Sequence, residues 1–238
     1  MSVSYKVRDT NFSVVLIGKF NNLHHLPDNL LQMGLINEND KENTDVEYVS
    51  PAELQISLPW GNLRTEPTRN TQNRLSIFLT DLSSITLFRD FVFSLLDYND
   101  TANPTIMGIN YKSWITHQTQ EEWNNFGDAL TPKSQWLDLF GKEDSRAGMT
   151  NISMRIESAL EPVIENVEEQ PQLNISILPV RGTKDKDYEF CTECILNYHF
   201  PLGKSGSMEN AKITIEKYFD EIFKLGPQNI KGIVESFS

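Results

Sequence analysis

The stretch from Asn73 to Ile115 restricts the possible folds more than any other part of the chain. Arg74-Leu75-Ser76-Ile77-Phe78-Leu79-Thr80 reads as a strand, and Thr105 to Ile115 reads as a second one. Between them Ile85, Phe88, Phe91, Val92, Leu95 and Leu96 recur at three-and-four spacing, which predicts an amphipathic helix from Ser83 to Asp97. Asp81 or Ser83 caps its start, and Asn99-Asp100-Thr101-Ala102-Asn103-Pro104 stops it. A helix with one apolar face and a strand on either side requires a sheet to bury that face.

The remaining pattern extends this unit. Asn11 to Phe20, Met149 to Ser158, Leu173 to Val180 and Tyr188 to Phe200 read as strands, with Glu47–Val49 and Glu53–Trp60 as a strand pair. Asn62 to Asn73, polar and carrying Pro67, reads as an exposed loop, as do Asn37 to Asp45 and the charged hairpin turn Arg181 to Asp187. Two short helices are predicted at Thr119–Phe126 and Ser134–Phe140, the second with Trp136, Leu137 and Phe140 facing inward. A long amphipathic helix follows from Met208 to Leu225, punctuated by Gly226-Pro227, after which Ile230, Ile233, Val234 and Phe237 give a last amphipathic turn or two. Two long helices are too few for a regular alternation of strands and helices. The expected class is α+β, mainly antiparallel sheet, with the two long amphipathic helices packed on the sheet faces.

Several strings echo one another. Thr10-Asn11-Phe12-Ser13 matches Thr150-Asn151-Ile152-Ser153, and Leu54-Gln55-Ile56-Ser57-Leu58-Pro59 resembles Leu173-Asn174-Ile175-Ser176-Ile177-Leu178-Pro179. The expectation is two similar β-β-β-α halves, residues 1–141 and 149–238, packed as one compact unit, with the polar sheet side or the cleft between them open to a ligand.

Charge narrows the partners. The chain carries 21 basic and 33 acidic residues, a formal net charge of −12, and its lysines and arginines are scattered. Such a surface repels phosphate backbones, so no nucleic-acid partner is expected, and a basic protein partner fits better. No apolar run approaches the ~18 residues of a membrane span, and the N-terminus lacks a basic-then-apolar leader, so a cytoplasmic protein without membrane contact is expected. Open strand edges and a surplus of aromatics, four Trp, seven Tyr and 13 Phe, predict a homo-oligomer or hetero-complex, with Trp114 to Phe140 contributing. The alternative use of Trp114, Trp123 and Trp136 is to fill the seam between the halves.

Reactive side chains are few. Cys191-Thr192-Glu193-Cys194 has Cys-x-x-Cys spacing, but a zinc site needs four ligands and these are the only cysteines. Three strand steps separate them by roughly 10 Å, beyond disulfide reach, so two reduced cysteines in a strand are expected. His24-His25 marks a polar turn. His117 lies one helical turn from Glu121, the spacing of a general base with its orienting carboxylate. Ile109-Asn110-Tyr111 and Leu196-Asn197-Tyr198 interrupt apolar strands with an amide that needs partners; Asn110, Lys112 and Trp114 share one strand face, and Asn197 and His199 another. No phosphate-binding glycine loop, nucleophile elbow or zinc-protease helix motif occurs, and no cofactor or metal is expected. The expected function is therefore a non-catalytic protein-interaction module, of the immunity, antitoxin or accessory-subunit type. The competing class is a small-molecule-binding protein or an enzyme using His117 with Glu121, or His199.

Overall fold

The computed structural model describes residues 5–50, 52–68, 71–164, 167–181 and 189–237. Its strands are β1 (Tyr5–Gly18), β2 (Asp45–Ser50), β3 (Glu53–Leu58), β4 (Gly61–Pro67), β5 (Asn73–Leu79), β6 (Ile106–His117), β7 (Ile152–Glu157), β8 (Gln172–Arg181) and β9 (Phe190–Pro201). The helices are α1 (Pro27–Gln32), α2 (Glu38–Glu42), α3 (Ile85–Tyr98), α4 (Gln120–Leu130), α5 (Ser134–Phe140) and α6 (Met208–Phe237). The fold is α+β, and among the described residues the strands join in one nine-stranded sheet of order β2-β3-β4-β5-β1-β6-β9-β8-β7. Every pairing is antiparallel.

Read outward from the β1–β6 pair, this order repeats itself. On one side β1 is followed by β5, β4 and β3, and on the other β6 is followed by β9, β8 and β7. Each long central strand pairs with the last strand of its own meander, and each meander runs on into a long helix, α3 or α6. The expected equivalence of 10–13 with 150–153 does not match this order. Those strings fall on β1 and at the start of β7, whereas β1 occupies the position of β6.

Period-two alternation divides the sheet into two sides. Phe12, Val14 and Leu16 of β1, Leu75, Ile77 and Leu79 of β5, and Met107 and Ile109 of β6 are all buried. The Phe12 ring meets Phe88 of α3 edge-on at 6.2 Å and Phe219 of α6 at 5.1 Å. Each such side chain removed from water contributes about 1.5–3 kcal/mol. Ser13, Asn110 and Asn197 occupy the other side of the same strands.

The helix expected at 83–97 is present as α3, with Phe88, Phe91, Val92, Leu95 and Leu96 buried. Ahead of it Asp81 accepts a hydrogen bond from the Ser83 backbone N–H, capping a short 3-10 turn. Three expectations are corrected. The C-terminal helix does not stop at Gly226-Pro227 but runs 30 residues to Phe237. Gly226 lies on the Tyr111 ring so closely that a Cβ would come within 2.3 Å of its Cγ. Beyond Pro227 the helix continues because Ile230 and Val234 are fully buried. Residues 62–67 are a strand rather than a loop; Leu63 and Thr65 point to the core while Asn62, Arg64 and Glu66 hide the period. Residues 38–42 form a helix nucleated by the capping box of Asn37 and Asp40. The hairpin turn expected at 181–187 lies, apart from Arg181 itself, outside the described residues.

Candidate functional site

The Ser13 side of the sheet carries a continuous amide ladder. Arg155 (β7), Asn174 (β8), Asn197 (β9), Asn110 (β6) and Ser13 (β1) are successive cross-strand neighbours. Arg155 Nε donates to Asn174 Oδ1 at 3.4 Å, and Asn174 Nδ2 donates to Asn197 Oδ1 at 3.2 Å. Asn197 Nδ2 donates to Asn110 Oδ1, and Asn110 Nδ2 donates to Ser13 Oγ at 3.2 Å. A guanidinium only donates, so Arg155 fixes the orientation of every amide after it. Each amide uses its oxygen and one N–H along the ladder.

Gly108 opens a depression beside the ladder. It pairs with His199 on β9 and Val15 on β1. A Cβ at Gly108 would approach Asn197 Nδ2 to 3.0 Å and Asn110 Nδ2 to 3.8 Å, so both amides stand at its rim. The resulting cavity is about 420 Å³. Asn110, Asn197 and His199 line its polar part, Val15, Ile17 and Ile106 its apolar part, and Lys112 and Arg74 its ends. None of its lining residues is acidic, although Lys112 is ion-paired with Glu193 and Arg74 with Glu66 at 2.8 Å.

Of the residues singled out in the sequence, the cavity gathers Asn110, Lys112, Asn197 and His199. Trp114 lies on the same side of β6, one same-face step beyond Lys112, and is half-buried. Burial holds the His199 imidazole below its ordinary pKa, with Glu169 opposing and Arg155 reinforcing the shift. Among the described residues the His199 imidazole makes no side-chain hydrogen bond.

His117 and Glu121 are elsewhere. His117 ends β6 on the Phe12 side, 7% exposed, its ring 5.2 Å from that of Phe126 on α4. The indole N–H of Trp123 donates to the Thr192 hydroxyl at 3.1 Å, and that hydroxyl lies 3.4 Å from His117 Nε2. This chain joins α4 to β9 and β6, which is a packing role. Burial lowers the His117 pKa, and the carboxylate opposing that shift is Glu122. Glu121 is exposed in the first turn of α4.

No protein-family model matches this chain, and no curated protein matches it.

Two further features bear on function. Helix α5 buries none of its residues: Trp136 is 57%, Leu139 74% and Phe140 76% exposed, against the expectation that Trp136 and Phe140 face inward. The two rings stack on each other at 6.4 Å instead. Cys191 and Cys194 are buried and form no disulfide, and burial pushes the Cys194 thiol up to about 12, with Glu193 adding to the effect.

Sequence reasoning missed Ser13, Gly108, Arg155 and Asn174. The signal for Asn174 was present, since Leu173-Asn174-Ile175 repeats the apolar-Asn-apolar pattern of positions 110 and 197. Gly108 and Arg155 carry no comparable mark, because their role depends on strand order.

Proposed function

We propose that this chain is a non-catalytic protein-interaction module whose contact surface is the arm formed by α4 and α5. The observation that carries this reading is α5 itself, an element contributing nothing to the core and presenting Trp136, Leu139 and Phe140 to solvent. Large exposed aromatics of this kind are what interface cores use. The arm is also acidic, with six carboxylate residues against three basic ones between positions 120 and 146. A partner with an apolar pocket and a basic rim complements it, whereas a second copy brings the same negative charge to the contact. The complex is thus a hetero-complex.

The rest of the molecule serves as scaffold. In this reading α3 and α6 cover the sheet on the Phe12 side, and the two topologically matched units meet at the β1–β6 pair. The sequence-based division into 1–141 and 149–238 instead assigns β6 to the first half. Two buried cysteines outside any disulfide are in keeping with a reducing cytosolic compartment. The test is a comparison of copurified proteins from native cells between wild type and Leu139→Asp/Phe140→Asp. A stoichiometric basic partner lost in the variant is the expected result. Equal recovery from both, or no partner from either, overturns the reading.

A further inference from the structure

We infer that the cavity over Gly108 binds a small amphipathic carboxylate, its anionic end held by the side-chain amides of Asn110 and Asn197 and its apolar body lying on Val15, Ile17 and Ile106. The inference stands apart from the partner surface on α5 and concerns the opposite end of β6.

Hydrogen-bond capacity comes first. Within the ladder the oxygen of Asn174 accepts from Arg155, that of Asn197 from Asn174, and that of Asn110 from Asn197. Each amide nitrogen has two N–H groups and uses one along the ladder. The second N–H of Asn110 and of Asn197 has no bond among the described residues, and both nitrogens stand at the rim over Gly108. The rim therefore offers two spare N–H donors, beside an Asn110 oxygen at the same 3.8 Å that already accepts one bond from Asn197. The lining is free of competing carboxylates: Lys112, itself ion-paired with Glu193, follows Asn110 on the same strand side, and none of the lining residues is acidic in a chain of net charge −12. Neutral His199, across β9 from Gly108, adds one more N–H.

Shape supplies the rest. Gly108 is the only residue of its cross-strand row without a side chain between Val15 and His199, so the acceptor sits directly over backbone. One same-face step away Ile17 and Ile106 are cross-strand partners, an apolar floor next to the donors. A cavity of about 420 Å³ is at the lower end of ligand-site sizes and suits an acid of about ten non-hydrogen atoms.

The probe is sodium octanoate, with 1-octanol as the same body lacking the anion. Both are titrated into the full chain while the side-chain amide resonances of Asn110 and Asn197 are followed by NMR. Octanoate is expected to shift both resonances saturably with a midpoint below about 1 mM, and octanol to bind at least tenfold more weakly. Asn197→Asp keeps the shape but places a negative charge at the rim; octanoate binding falls at least tenfold and octanol binding is unchanged. Gly108→Val fills the cavity and abolishes both. The inference is overturned by non-saturable shifts, by octanol binding as well as octanoate, or by Asn197→Asp binding octanoate like wild type. A poorly folded Gly108→Val protein leaves the Asn197→Asp comparison to decide.

Discussion

Asn110 sits in the middle of the ladder, accepting from Asn197 and donating to Ser13, so its side chain satisfies a half-buried amide and a buried hydroxyl at once. Asn110→Ala removes both bonds and leaves the Asn197 amide and the Ser13 hydroxyl without them. The expected cost is about 1–3 kcal/mol, read as a lower urea midpoint at an unchanged m-value. His25 makes a second prediction. The sequence marks it only as a turn residue beside His24, yet it is fully buried, with Nδ1 3.2 Å from the Thr65 hydroxyl. Burial lowers its pKa from 6.5 to about 4. The unfolded chain therefore takes up a proton as pH falls through 6.5, while the folded chain does so only near 4. Stability from this group is complete above pH 6.5 and is lost toward pH 4, by roughly 3 kcal/mol. Denaturant midpoints measured from pH 7 to pH 4 should show the decline, and His25→Leu should flatten it.

Elements with strong periodicity were legible, and those whose period is hidden by polar side chains were not. Helix α3 follows directly from its apolar spacing, because its buried face is built from five large residues in fourteen positions. Strand β4 escaped because Thr65, though fully buried, reads as a loop residue between Arg64 and Glu66. Helix α6 was cut short for the opposite reason. Gly226-Pro227 normally ends a helix, but here the missing Cβ of Gly226 lets the backbone rest on the Tyr111 ring. Gly226→Leu should force Tyr111 aside and destabilise the protein by about 1–3 kcal/mol, the ordinary cost of overpacking, seen as a lower melting temperature. Near-ultraviolet circular dichroism of the same variant should change, since Tyr111 is an aromatic probe at that contact.

At the scale of the whole molecule, fold class was legible because alternation and amphipathic spacing are local. Strand order was not, because it depends on which apolar faces meet. The candidate cavity shares that limit: Asn110 and Asn197 stood out singly, but only the β6–β9 pairing makes them neighbours. The α5 arm yields a prediction here. Leu139→Asp/Phe140→Asp alters only exposed positions, so folding stability should change by no more than about 0.5 kcal/mol while partner affinity falls by about 2 kcal/mol or more. Calorimetric unfolding and a binding titration with the isolated partner separate the two effects. The central β1–β6 pair has a further consequence, for synthesis. Ser13 and Asn110 are hydrogen-bonded across 97 residues of chain. Strand β1, with its Val14-Val15-Leu16-Ile17 run, is made before β6 and waits for that neighbour roughly five to twenty seconds at ordinary translation rates. During that interval Phe12 lacks its ring contact with Phe219 of α6, so the nascent chain exposes more apolar surface than the finished protein.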